Sequence, residues 1–316
     1  MTRALVIVNP KAGGGHATAA LSAFEGVVRG VLGEVDFVRT ERPQHASELA
    51  EDAAKKGRDL VVATGGDGSI HEVVVGLMRA REAGFKKTKL GVIGRGTGGD
   101  LVKTLGIEHR LESYLDVIAK GASRPIDVGK LSYVDNDGKP ATGFFVNILS
   151  AGMGGLVDRY VHDTAKWAGG RAGYFLASAR ALLASEPGAL RMTMTLDGEE
   201  RVVETSTRML AVCNGRYFGS GMFVAPPAEL DDGIFEVVDL GASSKIGFAM
   251  RSSAIYSGDH MKQPEVTHHR CSKIRFEVMN ERARSTFLLD VDGEPLGSPP
   301  VEIEVVPRAL EVLRPA

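Results

Sequence analysis

The residues best equipped for chemistry in this chain are carboxylates set beside glycines. Asp67 sits in Gly65-Gly66-Asp67-Gly68, between an apolar run (Leu60 to Ala63) and a stretch in which Ile70, Val73, Val74 and Leu77 share one helical face. Glycines between a strand and a helix start let backbone N–H groups approach an anion, and the helix end favours negative charge. A carboxylate repels bare phosphate, so Asp67 belongs there if Mg²⁺ bridges the two or if Asp67 polarises a hydroxyl. Ser69 and Glu72 have capping-box spacing, which predicts the helix start. Asp292 and Glu294 are two apart at a strand end, so both face one side of a sheet. The same Asp292-Gly293 pair is also a common turn dipeptide.

Asp67 is not alone in its setting. Strands at Ala4 to Val8, Leu60 to Ala63 and Leu90 to Ile93 each run into a glycine-rich turn before a helix. The other two turns are Asn9-Pro10-Lys11-Ala12-Gly13-Gly14-Gly15 and Gly94-Arg95-Gly96-Thr97-Gly98-Gly99-Asp100. This βα repetition implies a parallel sheet with a ligand beyond the carboxyl ends of its strands. A nucleotide is expected across these turns, with Asn9, Lys11, Gly13, Thr64, Gly65, Gly66, Gly68, Arg95, Gly96, Thr97 and Gly98 as its binding residues. Lys11 and Arg95 have a competing reading as solvated loop charges.

From Ile126 the hydrophobic period changes to two. Strands are predicted at Val128 to Val134 and Thr142 to Leu149 around an Asp-Asn-Asp-Gly hairpin turn. Further strands follow to Val306, broken by helices near Gly170 to Ser185 and Lys245 to Ser257. The fold class is α/β plus β: an N-terminal Rossmann-like parallel domain over 1–125 and a C-terminal antiparallel β-sandwich over 126–304, with 305–316 packing back on the first domain. Trp167 is expected in the core beside Tyr174 and Phe175.

Composition excludes several classes. At 316 residues two domains are the prior expectation. The formal net charge of −2 gives no reason to expect a nucleic-acid partner. Two cysteines without a paired motif predict neither a disulfide framework nor a zinc site and suit a cytoplasmic protein. The longest uncharged run, Pro140 to Val157, carries Asn147, Ser150 and glycines, so it reads as strand plus loop.

Two more segments complete the pattern: Asn214-Gly215-Arg216 leading to Leu230-Asp231-Asp232-Gly233, and Asp292-Gly293-Glu294. With the three glycine turns, these resemble the diacylglycerol kinase catalytic-domain family, which includes bacterial soluble diacylglycerol kinases, sphingosine kinases and ceramide kinases. The resemblance spans nearly the whole chain, in order. It implies transfer of the ATP γ-phosphate, with Mg²⁺, to a hydroxyl of diacylglycerol or a sphingoid or ceramide-type lipid. It implies Asp292 as the base, with Glu294 and Asp67 acting through Mg²⁺ and its waters, although in sphingosine kinases the loop aspartate has been given the base role. It further implies Asp100 in the metal and water network, and a structural Mg²⁺ on Asp231 or Asp232. The implied partners are ATP and a membrane lipid met transiently at the membrane surface, with a homodimer possible. Gly94 and Gly99 depart from the family, which usually has proline and asparagine there. The rival readings are an NAD kinase-like small-molecule kinase, which shares the Gly-Gly-Asp-Gly loop, and a nucleotide- or lipid-binding regulator with lost catalysis.

Overall fold

The computed structural model describes residues 3–12, 18–96, 98–120, 122–164 and 170–315. The chain divides into two compact units: Met1–Val128 with Gly219–Gly221 and Pro307–Ala316, and Gly129–Phe218 with Met222–Val306.

The first unit is built on parallel strands. β1 (Ala4–Val8), β2 (Val35–Arg39), β3 (Leu60–Gly65) and β4 (Lys89–Gly94) lie in the order β2-β1-β3-β4. The chain end joins next to β4, with Val312 paired in parallel to Leu90. β1 and β3 are buried at every position, as their unbroken apolar runs require of strands covered on both faces. Each buried valine or isoleucine contributes about 1.5–3 kcal/mol. The helices are α1 (Thr18–Leu32), α2 (His45–Lys55), α3 (Asp67–Glu82), α4 (Asp100–Thr104) and α5 (Leu111–Lys120). Gly76 on α3 faces α2 so closely that a Cβ there would collide with the Ser47 carbonyl.

The capping box is not formed. α3 begins at Asp67 with Gly66 as its cap residue. Ser69 Oγ instead accepts from Asn9 Nδ2 (2.9 Å). The Glu72 carboxylate reaches across to α2, accepting from the N–H groups of Gln44 (3.0 Å) and Ala46 (3.1 Å). Glu72 therefore satisfies the orphan donors of a neighbouring helix and not those of its own.

The second unit has two antiparallel layers. Its strands are β5 (Ser123–Val134, of which 129–134 belong here), β6 (Pro140–Phe145), β7 (Ile148–Gly152), β8 (Gly188–Leu196), β9 (Glu199–Thr207), β10 (Met209–Cys213), β11 (Phe235–Asp239), β12 (Thr267–Cys271), β13 (Lys273–Val278), β14 (Leu288–Val291) and β15 (Glu294–Leu313, of which 294–306 belong here). One layer runs β12-β11-β10-β7-β14; in the other, β9, β8, β13 and β15 pair in turn and β5 joins β15 to β6. β15 serves both, pairing with β14 at Glu294 and with β13 from Val301 to Glu304. The core holds Leu131, Leu149, Phe276, Phe287 and Ile303, and in it Phe145 stacks on Phe235 at 5.5 Å between ring centres. This is the expected sandwich.

Two details differ from the sequence reading. The strand predicted over Thr142 to Leu149 breaks at Val146-Asn147 into β6 and β7. A helix absent from the prediction, α6 (Met153–Thr164), follows β7; the other helices here are α7 (Gly170–Ala184), α8 (Lys245–Arg251) and α9 (Glu281–Arg284). Gly154 and Gly155 hide α6 from a propensity reading. They are there because Cβ atoms would collide with Ser150 Oγ on β7 and the Leu288 carbonyl on β14. Trp167 lies outside the described residues, and the side chains of Tyr174 and Phe175 are likewise not described. No described helix is long and apolar enough to cross a membrane.

Candidate active site

In the first unit the glycine turns at the ends of β3 and β4 touch through their backbones. A Cβ on Gly96 would stand 2.9 Å from Gly66 Cα, and Arg95 N–H donates to the Gly65 carbonyl (2.7 Å). The tie between the turns is Asp67, the first residue of α3. Its carboxylate accepts from the N–H groups of Gly99 (2.9 Å) and Asp100 (3.1 Å), at the start of α4. Burial first, and then the adjacent charge of Asp100, push the Asp67 carboxyl above its ordinary value. Asp100 is itself buried and held by Lys103 Nζ (3.1 Å) and Ser220 N–H (2.8 Å). Lys103 also donates to the Gly98 carbonyl (3.0 Å).

Behind these turns stands a pair the sequence reading did not include. His109 Nδ1 is hydrogen-bonded to the Tyr114 hydroxyl, and His109 Nε2 lies 2.8 Å from the Gly96 carbonyl. Burial, and then the charge of Asp67, push the Tyr114 hydroxyl up to about 12, so the phenol keeps its proton. It donates to Nδ1, which leaves Nε2–H to hold Gly96. This pair explains one departure from the family pattern. A Cβ on Gly94 would collide with the Tyr114 hydroxyl and stand 2.9 Å from His109 Cε1. Gly99 has φ +62°, the left-handed conformation that glycine and asparagine share most readily.

Other expected nucleotide residues are placed as follows. Asn9 Oδ1 accepts from Lys11 N–H (3.0 Å), and the Lys11 residue is exposed. The Arg95 guanidinium lies over the Phe24 ring at 5.1 Å. Thr64 is buried, and its Oγ1 has no hydrogen-bond partner among the described residues. Gly68 is the second residue of α3. Gly13 and Thr97 lie outside the described residues.

In the second unit Asp292 and Gly293 form the two-residue corner between β14 and β15, with φ +53° and +89°. These are the positive angles of the hairpin turn that favours Asp-Gly. The corner reading is thus correct, yet the side chain does more than turn the chain. Asp292 Oδ1 accepts from Asn147 N–H (3.0 Å) and Ile148 N–H (3.0 Å), and Oδ2 from Val146 N–H (2.9 Å). The carboxylate sits where β6 breaks from β7, and its acceptor oxygens take donors that a continuous strand would have used in its ladder. Glu294 is half-buried at the start of β15.

Next to this corner is an acid pair that no motif announced. Asp290 accepts from Ser150 Oγ (3.0 Å) and Gly293 N–H (2.9 Å), and its carboxyl is hydrogen-bonded to that of Asp158 on α6. Burial pushes both carboxyls up, so the pair holds a shared proton. Asp232, expected at a metal, accepts from Arg270 Nη2 (3.2 Å) and from Ile234 N–H (3.0 Å). Among the described residues no cluster of three or more His, Cys, Asp or Glu is set to hold a metal.

Two domain families match the chain: "Diacylglycerol kinase catalytic domain" over residues 3–131 and "YegS C-terminal NAD kinase beta sandwich-like domain" over residues 147–314. The chain belongs to the diacylglycerol kinase family. It is a phosphotransferase of the lipid kinase type. A diacylglycerol kinase of Mycobacterium tuberculosis (strain ATCC 25618 / H37Rv) is 28% identical over 312 residues, 98% of this chain and 94% of that one. One from Bacillus subtilis (strain 168) is 27% identical over 323 residues, 100% and 97% of the two chains. Among solved structures, a diacylglycerol kinase from Bacillus anthracis str. Sterne superposes with a TM-score of 0.69 at 21% identity, covering 99% of this chain and 97% of that one. Yeast NADH kinase shares the fold more distantly, with a TM-score of 0.51 at 13% identity over 99% and 84% of the chains.

Proposed function

We propose that this kinase transfers the γ-phosphoryl group of ATP to a hydroxyl of a diacylglycerol or of a sphingoid or ceramide-type lipid. The observation that carries the reading is Asp292, a carboxylate fixed by three N–H groups beside Glu294 at a strand corner. Phosphoryl transfer asks a protein mainly for positioning and charge neutralisation. Asp292 takes the proton as the lipid oxygen bonds to phosphorus and the bridge to ADP breaks.

The first unit suits the nucleotide. Backbone at Gly66 and the start of α3 is open to an anion, and the orphaned Thr64 hydroxyl lies one residue before these glycines. Asp67 and Asp100 would hold Mg²⁺ together with phosphate oxygens and water. Their mutual repulsion is the feature a cation relieves, and such sites need only one or two protein carboxylates. When bound, Mg²⁺ neutralises charge on the transferring phosphoryl group. The lipid is met at the membrane surface.

Labelled ATP with a panel of diacylglycerol, sphingosine and ceramide, resolved by thin-layer chromatography, tests the reading. Label is expected in at least one lipid. Label in NAD alone, or in no acceptor, would overturn it.

A further inference from the structure

Large apolar side chains at a protein surface usually stand singly. Among the described residues the three most exposed are Met250 (77%), Ile246 (75%) and Leu183 (71%), and the fold brings them to one place. Ile246 and Met250 are four apart on α8, so they share a helical face. Ser244 starts that helix by accepting from Gly247 N–H (3.1 Å), and no residue of α8 is buried. Leu183 is on the last turn of α7, and Leu176, also exposed, lies two turns before it on the same face. Lys245 Nζ donates to the Leu183 carbonyl, which sets α8 beside the end of α7. Arg208, itself buried, clamps the junction. Its Nε donates to the Ser243 carbonyl (2.7 Å) and its Nη1 to the Ser185 carbonyl (3.0 Å). The clamp is one strand away from the proposed base. Just past the end of β7, Met153 N–H donates to the Arg208 carbonyl (2.9 Å); at the other end of β7, Ile148 N–H donates to Asp292 (3.0 Å).

We propose that α8 and the end of α7 form the surface by which this kinase docks on an anionic phospholipid bilayer, with Ile246, Met250 and Leu183 entering the interface. The inference rests on the lipid-kinase reading above and adds to it the face that meets the membrane. Charge selects this occupant. Neither helix contains Asp or Glu, and both carry cations, Arg180 on α7 and Lys245 and Arg251 on α8, in a chain whose formal net charge is −2. Arg251 is paired with Glu265 (2.7 Å), Lys245 lies 3.9 Å from Glu186, and Arg180 stands over the Tyr160 ring. Exposed pairs of this kind are weak, so the cations can exchange them for lipid phosphates while their stems lie along the apolar surface. Exposed apolar residues flanked by Lys and Arg are the pattern of an element that lies in a membrane interface. A second copy of this chain fits less well. Two-fold packing of the patch on itself would set cation against cation, with no carboxylate on either helix to answer them.

Vesicle flotation of the full-length protein tests this, on phosphatidylcholine vesicles and on mixed phosphatidylcholine–phosphatidylglycerol vesicles. Beside it, kcat/KM is measured for dioleoylglycerol carried in those vesicles and for dihexanoylglycerol free in solution. The wild type is expected to bind the mixed vesicles, and the neutral ones more weakly. Ile246→Ser with Met250→Ser is expected to bind about tenfold or more weakly and to lose a similar factor in kcat/KM on vesicles. It should keep its kcat/KM on dihexanoylglycerol, which also shows that the variant is folded. Leu183→Ser, as a second variant, should show a smaller loss of the same kind. Vesicle binding equal to wild type in both variants overturns the inference and leaves the lipid-kinase reading standing. So does an equal loss on both substrates, which would place these residues at the reaction. So does a wild-type dimer that the double variant dissociates without change in vesicle binding. Phosphorylation of neither lipid counts against the kinase reading, and vesicle binding alone then decides the docking face.

Discussion

Asp67 and Asp292 each hold backbone that is distant in sequence, and they do it in different ways. Asp67 leans from a helix start onto Gly99 and Asp100, 32 and 33 residues on. Asp292 turns back to Val146, Asn147 and Ile148, 144 to 146 residues before it. The backbone under Asp67 is rich in glycine, which brings little rigidity of its own, so the carboxylate supplies it. The backbone under Asp292 is the junction of two strands already fixed by their ladders. The difference teaches that Asp67 shapes its loop, whereas Asp292 is shaped by its surroundings. A residue of the second kind is the better platform for proton transfer, because its position survives small losses.

The sharpest way to break that contrast is Asp292→Asn. Asparagine keeps Oδ1 for two of the N–H groups but turns an NH₂ toward Val146 N–H. Turnover should fall by about 10²–10⁴-fold, the usual span for a general base, with ATP affinity unchanged. The mismatched donor should also cost about 1–3 kcal/mol of stability. Labelled-ATP assays beside urea unfolding read both, and near-normal turnover would remove Asp292 as the base.

Asp67→Asn should act on the nucleotide instead, weakening Mg·ATP binding about tenfold, or about 1.4 kcal/mol, by calorimetry. Its stability effect has a distinct pH signature. The folded Asp67 carboxyl titrates above its ordinary 3.8, so its contribution to stability is fully present below that value and lost as pH rises through the raised one. The variant should lack that loss. If Asp67→Asn lowers turnover at saturating ATP and Asp292→Asn weakens ATP binding, the two roles must be exchanged.

Much of the first unit was legible because its information is local. Strands β1, β3 and β4 are apolar runs ending in glycine, and a parallel sheet follows from their repetition. The Asp-Gly corner at Asp292 was legible for the same reason. What escaped was set by distance. Glu72 had the spacing of a cap and became a cap for another helix. Lys11 and Arg95 were readable as loop cations, but nothing near Arg95 in sequence announces the Phe24 ring. The His109–Tyr114 pair and the Asp158–Asp290 pair depend on partners that no spacing rule connects.

Glycine substitutions sharpen the comparison at smaller scale. A Cβ on Gly66 would have ordinary room, 3.8 Å from Gly96 Cα, while one on Gly96 would press on Gly66 at 2.9 Å. Gly66→Val should fold normally and bind ATP several-fold more weakly, since the side chain enters the space an anion needs. Gly96→Val should lose about 1–3 kcal/mol of stability as an overpacked site. Equal ATP affinity in Gly66→Val and wild type would take the nucleotide off this turn. On the Asp292 side, Asp290→Asn removes a carboxyl whose burial pushes it far up. The shared proton stabilises the wild type at low pH and is lost as pH rises through the raised value, leaving two repelling carboxylates. The variant should therefore melt about 2–4 °C higher than wild type on the alkaline side, with the advantage vanishing at acidic pH.

The smallest effect is expected at Gly99, and its smallness is informative. Gly99 caps α4 with φ +62°, and a Cβ there would meet the His109 ring at 3.6 Å, ordinary contact. Asparagine tolerates this conformation better than other residues with a side chain. Gly99→Asn, which restores the residue usual in the family, should shift stability by no more than about 0.5 kcal/mol. Gly94 is the control: any side chain there must displace the Tyr114 hydroxyl and with it the imidazole that holds the Gly96 carbonyl. Gly94→Ala should thus cost stability and ATP affinity together. Thermal melting and ATP titration of the two variants side by side make the check. If Gly99→Asn is as damaging as Gly94→Ala, then α4 is held by its glycine and not by the Asp67 carboxylate, and the view of Asp67 as the element that shapes this loop fails.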